Sequence, residues 1–249
     1  MQKKCYIFDY DGTLSESCTE ISVRMTAKIV LLARQKKIIP VVMSGTDNKT
    51  LLGFMRRVRT YMTDGNYFYL AGNCGADIVK VTADEVTPVF RLSLTPYQKK
   101  EIYCAVGEVI DKFNLHCDIG GQVIDRGNQI TLSCIGRDAD SELKAQWDPD
   151  CAKRKNIAGV LDRYLDYEYS VNIAGTTSID ILGQKWDKGY GVNKIAEIEN
   201  LQLSEILFFG DKCNPGGNDY PATRVVDYYH VENPNHTLEI LSTLNDNLG

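Results

Sequence analysis

Histidine is scarce in this 249-residue sequence, with only His116, His230 and His236, and these form no clustered ligand set. That scarcity excludes a clustered zinc centre and leaves a histidine-based catalytic triad without support. No C-x-x-C pair occurs among the eight cysteines, which are scattered at positions 5, 18, 74, 104, 117, 134, 151 and 213. A chain of this length needs no disulfide staples, so reduced thiols and a cytoplasmic location are expected. No apolar run approaches the ~20 residues that span a bilayer, and no membrane partner is expected. The opening MQKKCYIFDYDG turns acidic after a short apolar stretch, unlike a signal peptide. Basic residues are also short, 28 Lys and Arg against 33 Asp and Glu, for a net charge of −5. Such a chain has no long-range attraction for a polyanion, so nucleic acid is not expected as a partner. A single phosphate group remains possible, because a few placed cations hold it.

What is present suits a folded chain: 43% hydrophobic and 24% charged residues, in a length that allows one large domain or two small ones. Cys5-Tyr-Ile-Phe8 reads as a buried strand stopped by Asp9-Tyr-Asp-Gly-Thr13. Ile21, Met25, Ile29 and Leu32 keep a helical spacing across 20–37, and a second buried strand follows at 38–43. A helix over 48–58 and a strand over 67–71 continue the alternation, which implies parallel pairing in an α/β layer. The texture changes from about residue 77. Two β-rich stretches, a helix over 96–113, a hairpin across 122–136 turning at Arg126-Gly-Asn-Gln129, a helix over 151–165 and two further strands read as an α+β insert with an antiparallel sheet. After Gly183 the first rhythm returns, with helix 187–198, strand 206–210, a glycine-rich loop, strand 225–230 and helix 236–245. The expected division is a core of 1–81 and 185–249 interrupted by an insert of 82–184.

The sharpest chemical feature is Asp9-Tyr-Asp11-Gly-Thr-Leu14. Two carboxylates two residues apart, at the carboxyl end of a first parallel strand, sit where open α/β sheets bind ligands. One can attack phosphorus and become an aspartyl-phosphate while the other moves a proton. A solvated acidic turn is the plainer alternative, but the apolar run before it and the Gly-Thr-Leu after it weigh against that. The segment resembles the first motif of the haloacid dehalogenase superfamily, whose phosphotransferases use the first aspartate as nucleophile and the second as acid/base. That resemblance implies a Rossmann-type parallel-sheet core with an inserted α+β cap. It also implies a phosphoryl-binding hydroxyl at Ser44, a neutralising lysine at Lys188, and a Mg²⁺ site made by Asp9, Asp211 and the backbone carbonyl of Asp11. Oxygen ligands together with a substrate phosphate suit Mg²⁺.

A closer resemblance is to the eukaryotic-type α-phosphomannomutases. Phe208-Phe-Gly-Asp-Lys-Cys-Asn-Pro-Gly-Gly-Asn-Asp219 is similar to their acidic loop, and Trp186-Asp-Lys188 to their G-W-D-K element. Ile135-Gly-Arg137 matches the end of S-P-I-G-R, and Ser178-Ile-Asp180 stands where the family has S-F-D. The resemblance implies that Arg126 and Arg137 hold the distal phosphate, with Lys144 in place of a third arginine, and that Ser178 and Asp180 hold sugar hydroxyls. It implies a sugar 1,6-bisphosphate activator and dimerisation through the cap. Ser44 replaces the usual glycine and is closer to hydrolytic members of the superfamily, so a sugar-phosphate phosphatase using the same nucleophile is the competing reading. A binding protein that only retains phosphate affinity is opposed by the intact Asp9, Asp11, Lys188 and Asp211 set.

Two departures touch charge. The family arginine seven residues after the acid/base is Cys18 here, and Lys144 keeps a charge but loses the planar fork. One charge-assisted hydrogen bond changes binding by about 10- to 150-fold. Cys18→Arg is therefore expected to raise catalytic efficiency on a sugar phosphate, measured as kcat/KM. An unchanged or lower value refutes a role for the lost guanidinium.

Overall fold

The computed structural model describes residues 2–16, 19–35, 38–183 and 186–246, so Cys18 and Lys185 lie outside the described residues. The chain divides into two compact units, 1–91 with 187–249 and the inserted 92–186.

In the first unit β1 (Cys5–Phe8), α1 (Val23–Gln35), β2 (Ile39–Met43), α2 (Asn48–Phe54), α3 (Arg56–Thr60) and β3 (Phe68–Ala71) give the strand–helix alternation read from the sequence. A single turn, α4 (Gly72–Gly75), then leads into β4 (Asp77–Val81) and β5 (Val86–Arg91). The inserted unit holds α5 (Pro96–Phe113), β6 (Val123–Asp125), β7 (Gln129–Ser133), α6 (Ser141–Trp147), α7 (Ala152–Tyr164), β8 (Ser170–Ala174) and β9 (Ser178–Leu182). The first unit resumes with α8 (Lys188–Glu199), β10 (Ile206–Gly210), α9 (Tyr220–Thr223), β11 (Asp227–His230) and α10 (Pro234–Asp246). None of these helices is long and apolar enough to cross a membrane.

The first unit's sheet runs β11-β10-β1-β2-β3-β4-β5, parallel from β11 to β3 and antiparallel at β4 and β5. Alternation along β1 explains why the whole run is apolar: Tyr6 and Phe8 enter one buried cluster with α1 and α10, Cys5 and Ile7 another with α8. Phe8 stacks on Phe209 of β10 with centroids 4.7 Å apart. β5 corrects the expected boundary. Its sequence reads as part of the insert, yet it pairs with β4 and closes the edge of the core sheet, moving the division to 91/92 and 186/187. Pro88 fits that edge position, since it has no amide to give a further strand.

The insert begins with strong punctuation. Thr95 caps α5 in a capping box with Gln98, Pro96 opens the first turn, and left-handed Asn114 ends the helix. Its sheet has the order β6-β7-β9-β8, all antiparallel. Ile130, Leu132, Ile179 and Ile181 point to one face and pack with Ile102, Val106 and Val109 of α5 and Ile157 and Leu161 of α7. The opposite face carries Gln129, Thr131, Ser133, Ser178 and Asp180. Helix α6 was not anticipated. It is capped by Asp140 and has no buried residue, so it lacks the apolar periodicity that marks a helix in sequence.

A buried ion pair ties the insert together. Arg154 Nε donates to Asp148 at 2.7 Å, and its Nη1 donates to the carbonyl of Gly175 at 2.6 Å in the β8–β9 turn. Arg154 is 2% exposed and the Asp148 side chain 0%, so removing one member strands a charge away from water. Arg154→Met is expected to destabilise the insert by about 3–5 kcal/mol, read from a urea titration. A loss below about 1 kcal/mol would refute the role given to this pair.

Candidate active site

Register places the chemistry. Phe8 of β1 lies level with Val42 of β2 and Phe209 of β10, so Asp9, Met43 and Gly210 end three neighbouring parallel strands at the same height. Ser44 and Asp211 follow immediately. β1 is also the switch point of the sheet, because β2 and β3 run out to one side of it and β10 and β11 to the other. Crevices outside such a point are where open α/β sheets hold ligands.

Lys188 opens α8, whose cap is Asp187, and is 0% exposed. Its ammonium donates to Asp9 Oδ1 at 2.5 Å and to Asp219 Oδ1 at 2.6 Å. Asp219, also fully buried, accepts on its other oxygen from the backbone amide of Lys212 at 3.0 Å. Burial lowers a lysine's affinity for its proton, but here the two carboxylates outweigh that and hold Lys188 above its ordinary value. Asp9 goes the other way: burial, against the pull of Lys188 and helped by the charge of Asp219, pushes it up to about 6.

Oxygens of Asp9, Asp211 and Asp219 lie within 4.8 Å of one another. Lys212 reaches Asp211 Oδ2 at 3.1 Å, whereas Asp211 Oδ1 is buried with no hydrogen-bond partner among the described residues. Two glycines make this crowding possible. A Cβ on Gly12, whose φ is +83°, would lie 2.6 Å from Asp211 Oδ2, and one on Gly210 would lie 2.6 Å from Asp219 Oδ2. Asp11 occupies the same turn, half-buried. Ser44 is 2% exposed at the end of β2, where its hydroxyl accepts from the amide of Thr46 at 3.1 Å. No acceptor for its own proton is present among the described residues.

The inserted unit carries the other candidates. Ser178 and Asp180 share the polar face of β9. Arg126 is exposed in the β6–β7 turn, and Arg137 is exposed after β7 with its Nε 3.1 Å from Asp138. Lys144 lies on α6 and donates to the backbone carbonyl of Arg137 at 2.5 Å. The structure thus brings Asp9, Lys188 and Asp211 together, groups Arg137 with Lys144, and leaves Arg126 apart in its turn.

The sequence matches the eukaryotic phosphomannomutase family profile over residues 28–246. The chain belongs to that family. Membership makes it an enzyme of the mutase class. A phosphomannomutase of Spinacia oleracea is 26% identical over 218 residues, covering 86% of this chain and 84% of that protein. One from Schizosaccharomyces pombe is 25% identical over 251 residues, covering 97% and 94%. A haloacid dehalogenase-like hydrolase from Bacteroides thetaiotaomicron superimposes with a TM-score of 0.63 at 14% identity, covering 98% of this chain and all of that one. That likeness shows the fold.

The sequence shows Asp219 as the end of the acidic loop but does not show its bond to Lys188. The Gly-Gly-Asn-Asp run was the available signal, since its glycines let a carboxylate fold back beneath β10.

The Asp9 shift has a sign that can be checked. An unfolded aspartate ionises near 4, whereas Asp9 in the folded protein stays protonated to about 6. Its contribution is therefore fully present below the unfolded value and is lost as pH rises through 6. Asp9→Asn removes that loss. In chelator-treated protein the melting temperature of the variant relative to wild type is expected to climb between about pH 4 and 7 and to level off above. A difference independent of pH would overturn the assignment.

Proposed function

We propose that this chain is a Mg²⁺-dependent hexose-phosphate mutase interconverting mannose 6-phosphate and mannose 1-phosphate, with the glucose pair as further substrates. The observation that carries the reading is a nucleophile-type carboxylate, Asp9, held by a fully buried lysine at the switch point of the core sheet in a chain of this family. The acidic cluster fits a hard divalent cation, because three carboxylates converge and Asp211 Oδ1 is buried without a partner among the described residues. Asp9, Asp211 and the carbonyl of Asp11 are the residues that would hold it, and when bound it supplies neutralising charge for the phosphoryl oxygens.

The chain's own residues then divide the work. Lys188 commits one oxygen of Asp9 and keeps its charge, so an incoming phosphoryl group meets a carboxylate beside a fixed cation. Asp9 attacks phosphorus and forms an aspartyl-phosphate, and the sugar oxygen that leaves takes its proton from Asp11. In return, a hydroxyl of the sugar gives its proton to Asp11 as it attacks the aspartyl-phosphate. A sugar 1,6-bisphosphate loads Asp9 initially and is the intermediate of each cycle. Ser44 is assigned to a phosphoryl oxygen, since its proton has no other acceptor among the described residues. Arg126, Arg137 and Lys144 are assigned to the non-reacting phosphate, and Ser178 and Asp180 to sugar hydroxyls. Paired guanidinium hydrogen bonds suit a phosphate better than a single ammonium does.

The Ser44 hydroxyl favours a second reading, in which water takes the phosphoryl group and the chain is a sugar-phosphate phosphatase. Phosphorus NMR with mannose 1-phosphate, Mg²⁺ and glucose 1,6-bisphosphate separates the two. Mannose 6-phosphate is expected to accumulate, and to be lost on chelation and in Asp9→Asn. Inorganic phosphate as the sole product overturns the mutase in favour of the phosphatase.

A further inference from the structure

Asp180 is an unusual residue for the middle of a strand, where aspartate is disfavoured, and it is half-buried there. No lysine or arginine pairs with it among the described residues. What holds it is Thr131, directly opposite in the β7–β9 register, whose hydroxyl lies 2.6 Å from Asp180 Oδ1. A carboxylate only accepts, so the direction of this bond is fixed and the threonine is the donor. Gln129, on the same face of β7, donates its side-chain amide to Thr131 Oγ1 at 3.4 Å. Asn172, the neighbour on the β8 side, uses its amide on Ser170 at 3.0 Å instead. One oxygen of Asp180 is therefore fastened, and Oδ2 has no polar partner among the described residues.

The sheet does not need this hydroxyl. Thr131 is 2% exposed, and a valine there would keep the β-branched shape that strands favour. Without the donor, however, the Asp180 carboxylate is free about χ2, a broad and nearly two-fold torsion. A fastened carboxylate with one open oxygen accepts a hydroxyl proton and repels a phosphate, so it reads the neutral ring of a sugar phosphate rather than its charged end.

We propose that Thr131 is a positioning residue for sugar recognition, fixing Asp180 so that its open oxygen accepts a hydroxyl of the sugar ring. This inference rests on the assignment of Asp180 to a sugar hydroxyl under the proposed function.

The test compares Thr131→Val, Thr131→Ala, Thr131→Ser and Asp180→Ala, using titration calorimetry with mannose 1-phosphate alongside kcat and KM. Losing the orienting bond is expected to weaken binding and raise KM by about 3- to 10-fold in the valine and alanine variants. Values of kcat should stay within about 2-fold, and serine, which restores the hydroxyl, should return KM to wild type. A monodeoxy mannose 1-phosphate lacking the hydroxyl read by Asp180 should bind wild type and Thr131→Val equally. Unchanged binding and KM in both Thr131→Val and Thr131→Ala, with Asp180→Ala impaired, overturns the inference and leaves the assignment of Asp180 standing. Unimpaired Asp180→Ala overturns that assignment. Wild-type protein that takes up no mannose 1-phosphate overturns the proposed function and the inference with it. A loss shared equally by Thr131→Ser assigns the residue to packing and also overturns the proposal.

Discussion

A lysine with no exposed surface is a costly object, and the core unit is arranged around meeting that cost at Lys188. Burying an ammonium alone would drive it to give up its proton, and burying a carboxylate alone would drive it to take one. Asp9 and Asp219 supply two acceptors on opposite stretches of the chain, at 2.5 and 2.6 Å, so the lysine keeps its charge and the carboxylates lose their freedom. The three groups come from the ends of β1 and the β10–α9 loop and from the first turn of α8. Their meeting therefore requires the parallel sheet, its register and the helix to be in place together. Removing Lys188 would leave two buried carboxylates without their shared cation, which destabilises more than the pairs themselves stabilise.

The register of β1 does the positioning that no local sequence could. Aligning Phe8 with Val42 and Phe209 fixes the height at which Asp9, Ser44 and Asp211 emerge, and the stack of Phe8 on Phe209 resists a slip of that alignment. Gly12 and Gly210 then lack the Cβ atoms that would collide with Asp211 and Asp219 at the strand ends. The fastening continues at a distance: Thr237 of α10, fully buried, donates its hydroxyl to the carbonyl of Thr13 at 2.8 Å, so the turn after Asp9 is braced by the last helix of the chain.

Much of this was legible in sequence for physical reasons. Buried parallel strands must be continuous apolar runs, so Cys5–Phe8 and Ile206–Gly210 announced themselves, and Asp9 and Asp211 were conspicuous as the first charges after them. The helix read over 96–113 is α5, whose start Thr95, Pro96 and Gln98 fix. What was not legible depends on partners remote in sequence. The β5 sequence reads locally as the beginning of an antiparallel insert, and only its pairing with β4 assigns it to the core. Helix α6 buries nothing and so leaves no periodic trace. The bond between Thr131 and Asp180 joins residues 49 positions apart on strands whose register is set by the apolar face behind them.

The charge balance of the core site limits what it can hold unaided. Three carboxylates, Asp9, Asp211 and Asp219, face two ammonium groups, and one of these, Lys212, has a side chain more than half exposed. Solvent screens Lys212 far more than it screens the buried groups, so the field inside the site is set by Lys188 against the acids and remains negative. A phosphate entering that field alone would be repelled. The same acids that repel it converge their oxygens with one, Asp211 Oδ1, left unsatisfied, and an unsatisfied buried oxygen lowers its energy by gaining a cation rather than by losing its neighbours. Under the proposed function, anion binding at this site would be conditional on cation binding, and the acids that repel a lone phosphate would be the ones that hold the cation.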